Sequence, residues 1–170
     1  MMTNLEIKAR CRDLAAARAA AERVATRRLG LDEQVDTYFR TRAGRLKLRE
    51  SSLSGGQLVP YVRPDEHGPK RARYQVIPIE DAAGLKALLT EILDVHRVVR
   101  KRREIFLHEN VRIHIDRVEE LGEFVELEAL YDGSPAAEVK QQRLIDYLMK
   151  ELGIEKSDLL ATSYEGMIDA

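Results

Sequence analysis

Hydrophobic and charged residues alternate along several short stretches of the chain. In residues 44–49, Arg45, Lys47 and Arg49 alternate with Leu46 and Leu48. The stretches 4–8 and 124–128 alternate in the same way, with carboxylates among the charged residues. Because successive side chains of a strand point to opposite faces, each stretch is predicted to be a strand with one apolar and one ionic face.

These patterns predict an α+β fold built on an antiparallel sheet. The expected strands cover residues 4–10, 36–40, 45–50, 58–63, 71–79, 98–108, 111–118 and 122–130. The expected helices run from an N-cap at Asp13 to about Arg28, over 81–93, over 136–152 and briefly near Lys156. Gly30 is the expected stop of the first helix, and a turn is expected at 65–69. Since no repeat or linker interrupts the pattern, residues 1–170 are predicted to form one domain with a curled or closed sheet.

The composition of the chain argues against several kinds of partner and location. The chain has 170 residues with 28 basic and 29 acidic side chains, which gives a formal net charge of −1. This balance and the small number of aromatic residues argue against a nucleic-acid partner. The one cysteine, Cys11, excludes an intrachain disulfide and suits a reducing compartment. No segment approaches the roughly 20 apolar residues of a membrane span or the pattern of a signal peptide, so we expect a cytoplasmic protein without a membrane partner.

Positive charge concentrates on one face of the predicted strands. Alternation places on this face Lys8, Arg40, Lys47, Arg49, Arg63, Arg71, Arg73, Lys101, Arg103 and Arg112. A one-residue shift in the 98–108 strand would present Arg100 and Arg102 instead. Because buried charge is costly when it is unpaired, such a face requires a compensating anion. A triphosphate matches it, since arginine binds phosphate oxygens in a bidentate manner.

Carboxylates on the same face indicate a metal site. They are Glu6, Asp116, Glu126 and Glu128. Crowded carboxylates retain a proton unless a cation lies among them, and ligand sets made only of oxygen favour Mg²⁺ or Mn²⁺. His114 is either a ligand or acid–base group, or a hydrogen-bonding neighbour. The alternative for all these charges is a ladder of salt bridges across a solvated sheet face.

The ordered motifs resemble the CYTH superfamily, the adenylyl cyclase and thiamine triphosphatase group of triphosphate tunnel metalloenzymes. The similarity runs through Asn-Leu-Glu-Ile-Lys (4–8), Asp-Thr-Tyr-Phe-Arg (36–40), Arg-Leu-Lys-Leu-Arg (45–49), Val-Val-Arg-Lys-Arg-Arg (98–103), segment 113–128 and the tail 152–164. The resemblance implies a closed antiparallel eight-stranded β-tunnel flanked by helices. It assigns phosphate binding to Lys8, Lys47, Arg49, Arg63, Arg73, Lys101, Arg103 and Arg112, and metal binding to Glu6, Asp116, Glu126 and Glu128.

Two positions depart from the family pattern. Asn4 replaces the first acid of the signature, and Gln75 stands where an acid is expected. Because an amide carries no charge, both changes weaken the expectation of two complete metal sites.

The leading hypothesis is a metal-dependent phosphohydrolase with Mg²⁺ or Mn²⁺ as its cofactor. Its substrate would be tripolyphosphate, thiamine triphosphate or a nucleoside triphosphate such as ATP. The catalytic residues would be Glu6, Lys8, Glu126 and Glu128. The alternatives are an adenylyl cyclase, which makes cyclic AMP from ATP, and a non-catalytic domain that binds polyphosphate or nucleotide. The sequence leaves the oligomeric state open.

Overall fold

The computed structural model describes residues 2–63 and 68–168, so most of the predicted 65–69 turn lies outside the described residues. The strands are β1 (Met2–Arg10), β2 (Arg27–Phe39), β3 (Arg45–Ser51), β4 (Gly55–Val62), β5 (Lys70–Tyr74), β6 (Ile77–Ile79), β7 (Val95–His108), β8 (Val111–Val118) and β9 (Gly122–Tyr131). The helices are α1 (Leu14–Val24), α2 (Ala82–Leu93), α3 (Pro135–Glu151) and α4 (Tyr164–Met167), with a 3-10 helix at Lys156–Asp158.

Eight of these strands close into an antiparallel barrel. Hydrogen-bonded neighbours follow the order β3-β2-β7-β8-β9-β1-β5-β4, and β4 pairs with β3 to complete the circle. The short β6 continues the line of β5 by pairing with residues 56–58 of β4. The prediction of an α+β fold with a closed eight-stranded tunnel is therefore confirmed.

The barrel is charged inside and apolar outside. On β8, Ile113 and Ile115 pack into the main hydrophobic core, whereas Arg112 and His114 line the interior. Helices α1 and α3 cover the outer face of β1, β7, β8 and β9. Since the hydrophobic core lies between these helices and the barrel wall, the interior is left free for polar side chains.

The first helix is shorter than predicted. It begins after the Asp13 N-cap as expected, but it ends at Val24 rather than near Arg28. Residues Arg27–Phe39 form β2, and Gly30 (φ 122°) lies at a bulge in this strand instead of ending a helix. Pairing along the 14-residue β7 outweighs the local helical preference, because it satisfies the backbone groups of the whole segment.

The remaining elements agree with the predictions apart from their ends, the division of one strand and the short helix α4, which the sequence pattern does not predict. Asp81 caps α2 by accepting a hydrogen bond from the backbone N–H of Gly84 at 2.8 Å. The strand predicted over 71–79 is divided into β5 and β6 at residues 75–76. None of the described helices has the length and apolar character required to cross a bilayer.

Candidate functional site

The barrel encloses a cavity of about 520 Å³. Most of the predicted site residues line it, namely Glu6, Lys8, Lys47, Arg49, Arg63, Lys101, Arg103, Arg112, Glu126 and Glu128. The choice of Lys101 and Arg103 over Arg100 and Arg102 is correct, because the latter pair is exposed on the outer face of β7. The closure of the sheet thus brings together charged residues from five strands, together with Arg63 just beyond the end of β4.

The prediction that Arg73 faces the cavity is wrong. The inward positions of β5 are Ala72 and Tyr74, whereas Arg71 and Arg73 are exposed on the outer face. The register is therefore one residue away from the predicted one, and such a slip exchanges the two faces of a strand. Gln75 follows the end of β5 and is also exposed.

Arg40 and Asp116 also lie away from the lining of the cavity. Arg40 is exposed just beyond the end of β2. Asp116 is fully buried in the wall, where the guanidinium of Arg103 donates to both of its oxygens at 2.7 and 2.6 Å. The Tyr164 hydroxyl donates to Asp116 Oδ2 at 2.7 Å. Asp116 therefore orients Arg103 and does not stand among the carboxylates that reach the cavity.

Three basic side chains converge on the buried Asp36. Arg49 donates to both carboxylate oxygens at 2.7 Å, and Lys101 and Lys47 lie 2.9 and 3.2 Å from Oδ2. Burial alone would raise the pKa of Asp36, but these three charges outweigh it and hold the pKa well below its usual range. One carboxylate thus faces three basic groups, which leaves an excess of positive charge at this point of the cavity.

Sequence reasoning missed Asp36 as an organising residue. It shares the inward face of β2 with Asp32, Gln34 and Tyr38, all of which are buried. Alternation within the predicted strand 36–40 places Asp36 on the same face as Arg40, so the signal for an inward Asp36 is present in the sequence.

A second ionic cluster surrounds Glu126. Lys8 lies 2.8 Å from Glu126 Oε2, Arg103 lies 3.5 Å from the same oxygen, and His114 Nδ1 lies 3.4 Å from Oε1. Burial opposes ionisation, but Lys8 and Arg103 dominate and keep the pKa of Glu126 well below its usual range. Burial, followed by the charge of Arg103, lowers the pKa of His114, so its imidazole is neutral at pH 7.

The C-terminal tail closes one end of the cavity. Tyr164 packs its ring against Phe124, with ring centroids 5.0 Å apart, and Lys8 Nζ lies 3.7 Å from the Tyr164 centroid. The next residue, Glu165, is buried and binds Arg45 at 2.7 Å. Because Tyr164 also holds Asp116, the tail is part of the site wall, a role that the sequence pattern did not predict.

Asn4 lies between the carboxylates of Glu6 and Glu128. Its amide nitrogen donates to Glu128 Oε1 at 2.7 Å and to Glu6 Oε2 at 3.3 Å, while its Oδ1 is buried without a hydrogen-bond partner. Within residues 2–63 and 68–168, no three His, Cys, Asp or Glu side chains form a metal-binding group. Rotating the Asn4 amide would turn Oδ1 towards Glu6 and Glu128. Two carboxylates and one amide oxygen are hard donors that fit a single Mg²⁺ or Mn²⁺.

Comparisons with known proteins agree with this architecture. In sequence, the chain is 29% identical over 134 residues to a Methanocaldococcus jannaschii protein named "Putative adenylate cyclase", covering 76% of this chain and 74% of that protein. In structure, it resembles the PH1012 protein of Pyrococcus horikoshii, with a TM-score of 0.85 and 22% identity over 96% of this chain and 98% of that one.

Two further structures share the fold at lower identity. One is a Vibrio parahaemolyticus protein titled as a putative adenylate cyclase, with a TM-score of 0.80 and 19% identity over 98% of both chains. The other is a Hippeastrum protein, with a TM-score of 0.66 and 15% identity over 99% of this chain and 95% of that one. The family model described as CYTH domain matches residues 2–164. With its closed tunnel and a family match over nearly its whole length, this chain belongs to the CYTH domain family.

Proposed function

We propose that this protein is a metal-dependent phosphohydrolase that cleaves a triphosphate bound inside the barrel. The observation that carries the proposal is the convergence of Lys47, Arg49 and Lys101 on the single carboxylate of Asp36. A simple ladder of salt bridges would pair these charges one to one. The excess of cations at a cavity wall instead suits a polyanion, whose charge is about −4 for a triphosphate.

Some of the cavity residues would bind the phosphate groups, and others would hold those binding residues in position. Lys47, Arg49 and Lys101 would bind the phosphate oxygens near Asp36, and Lys8 and Arg103 would bind them beside Glu126. Glu126 holds the last two in place through contacts of 2.8 and 3.5 Å. These contacts preorganise positive charge where negative charge develops in the transition state.

A divalent ion would be held by Glu6 and Glu128 together with Oδ1 of Asn4. Arg63 donates to Glu6 at 2.6 Å and Tyr74 donates to Glu128 at 3.1 Å, which orients both carboxylates. When bound, Mg²⁺ or Mn²⁺ supplies Lewis-acid polarisation of a phosphoryl oxygen. Of the four predicted metal ligands, Asp116 lies behind the cavity lining and Glu126 contacts both Lys8 and Arg103. Glu6 and Glu128 each contact one basic side chain, Arg63 at 2.6 Å and Arg112 at 3.5 Å, and both contact Asn4, so we propose these two as the principal ligands.

The decisive experiment is turnover of tripolyphosphate and of ATP, each with Mg²⁺ and with Mn²⁺. The products to be resolved are phosphate, pyrophosphate and cyclic AMP. Release of free phosphate supports the hydrolase. Binding of both compounds without turnover would contradict the hydrolase and support a binding domain. If Asn4→Glu then restored turnover, the absence of activity in the wild type would be explained by a weakened metal site.

An adenylyl cyclase is the second candidate, favoured by the name of the Methanocaldococcus jannaschii relative. The Hippeastrum protein is described as a putative adenylyl cyclase with a dominant triphosphatase activity. Both reactions require a bound triphosphate and differ in the attacking group, which is water or the ribose 3′-hydroxyl. Cyclic AMP and pyrophosphate formed in equal amounts from ATP would favour the cyclase.

Arg49→Ala is expected to weaken triphosphate binding. The loss is about 1.5–3 kcal/mol, the value of a charged hydrogen bond. The affinity for tripolyphosphate can be measured by calorimetry in EDTA, which prevents turnover. Arg73→Ala is the matched control, because Arg73 is exposed on the outer face of β5 and should have no effect. Equal losses in the two variants would contradict the assignment of Arg49 to the phosphate site.

The affinity for tripolyphosphate is expected to fall as pH rises above neutrality. Burial, reinforced by the charges of Arg49 and Arg103 and opposed by Asp36, lowers the pKa of Lys101 to about 7. A bound polyanion raises this pKa, so binding takes up a proton above pH 7. The affinity is therefore full below pH 7 and falls by up to about tenfold per pH unit above it.

Lys101→Arg provides the control for this pH dependence. Arginine stays protonated throughout the range, so the affinity of the variant should fall less steeply than that of the wild type between about pH 7.5 and 9.5. Calorimetric titrations at several pH values in that interval measure both proteins. Equal pH slopes in the two proteins would show that Lys101 does not gain a proton on binding.

A further inference from the structure

One end of the cavity differs in character from the phosphate-binding region. Whereas Tyr38 and Tyr164 mark the end closed by the tail, the opposite end of β2 presents Leu29 to the cavity. Leu53 and Val76 join it there, and both are partly exposed to solvent, with 52% and 36% of their surface accessible. Apolar side chains of this kind contribute nothing to binding phosphate, but they suit an organic ring.

The carboxylate of Asp32 is fully engaged at this end. Ser51 Oγ donates to its two oxygens at 2.8 Å, and the hydroxyl of Ser52 and the backbone N–H of Leu53 donate to Oδ1 at 3.2 Å. Gln34 Nε2 donates to Oδ2 at 2.6 Å. Burial alone would raise the pKa of Asp32, but these hydrogen bonds lower it, so Asp32 is ionised and acts only as an acceptor.

This arrangement determines the orientation of the Gln34 amide. Because ionised Asp32 accepts hydrogen bonds, the group facing it must be the Gln34 nitrogen, and an amide flip is excluded. The other end of the amide, Oε1, is buried and has no hydrogen-bond partner, in a residue that is only 5% exposed. A buried acceptor without a donor is costly. Since Gln34 lines the cavity, a ligand can supply the missing donor.

We infer that the Gln34 end of the cavity is a subsite for the organic group of the substrate, a heterocycle that carries an N–H donor. The inference rests on the proposed function and narrows it, because it makes the substrate an organic triphosphate rather than inorganic tripolyphosphate. The N–H group donates to Gln34 Oε1, and the ring packs against Leu29, Leu53 and Val76. Phosphate oxygens are excluded from this subsite, because Asp32 and Gln34 Oε1 would repel them.

The test compares the affinities of ATP, thiamine triphosphate and tripolyphosphate, measured by calorimetry in EDTA. Two variants probe the subsite: Gln34→Met removes the acceptor at nearly constant volume, and Leu53→Ser removes an apolar wall. Leu31→Ser is the matched control, since Leu31 is an exposed leucine on the outer face of β2. Wild-type protein should bind at least one organic triphosphate about tenfold more tightly than tripolyphosphate.

The expected result is a loss of this preference in both subsite variants. Their affinity for tripolyphosphate should remain at the wild-type value, and the control should behave as wild type. The compound that binds more tightly than tripolyphosphate, either ATP or thiamine triphosphate, identifies the heterocycle. If the wild-type protein binds all three compounds equally, or if the subsite variants weaken all three equally, the inference fails while the proposed function stands. If no triphosphate binds the wild-type protein, the proposed function fails and the inference with it.

Discussion

Glu128→Gln is expected to reduce metal-dependent turnover of tripolyphosphate by at least about a hundredfold, comparable to the loss of one preorganised electrostatic contact in an active site. Glutamine keeps the shape of the side chain and can still accept the hydrogen bonds that Asn4 and Tyr74 donate to Glu128 Oε1. What it removes is one of the two negative charges proposed to hold the metal. The effect should therefore appear in metal-dependent activity and not in folding.

The measurement is kcat/KM over a range of Mg²⁺ and Mn²⁺ concentrations, together with thermal unfolding of the metal-free protein. Glu123→Gln is the matched control on the same strand, because Glu123 pairs with Arg117 on the surface at 3.2 Å and does not line the cavity. It should retain wild-type turnover. Wild-type kinetics in Glu128→Gln would remove Glu128 from the proposed metal site.

Asp36→Asn is expected to have two opposite effects. Without its charge, Lys47, Arg49 and Lys101 lose their shared counterion in a buried setting, and the free energy of unfolding should fall by about 3 kcal/mol. At the same time, the cations become free to bind another anion. Tripolyphosphate should therefore bind more tightly and should stabilise the variant more than it stabilises the wild type.

Urea unfolding with and without tripolyphosphate measures both effects. Glu50→Gln serves as the control, because Glu50 forms a salt bridge of 2.6 Å with Lys86 in which both side chains are about one-third exposed. Removing such a pair should change the stability by less than about 1 kcal/mol and leave ligand binding unaltered. An Asp36→Asn protein as stable as wild type, with an unchanged response to tripolyphosphate, would mean that the three cations do not depend on Asp36.

Much of the candidate site follows from alternation, which is a local property of a strand. Lys47 and Arg49 on β3, and Glu126 and Glu128 on β9, could be assigned to one face because each strand is regular over the whole predicted segment. Arg73 could not be assigned in this way. Its strand breaks at residues 75–76, and the face of β5 is decided by its pairing with β1, where Arg73 lies opposite Thr3.

The partners of each charge could not be predicted either. A sequence pattern places Asp116 on the inward-facing side of β8, but it does not reveal that Arg103 and Tyr164 occupy both of its oxygens. Similarly, the sequence suggests that a metal ligand is lost at Asn4. The structure instead places Asn4 between Glu6 and Glu128, and its Oδ1 has no hydrogen-bond partner. These relations join residues that are far apart along the chain.

The sequence by itself determined the fold class, the closed arrangement through its family resemblance, and the excess of basic residues inside the barrel. Period-two alternation and the order of short motifs carry that information, and both can be read without knowing which strands pair. Only the tertiary structure decided where α1 ends and β2 begins, which face of β5 turns inward, which basic groups contact Asp36, and that Gln34 lies in the cavity wall. The physical reason is that strand pairing between distant segments sets register and burial, and the resulting free energy exceeds the local preferences of any single segment.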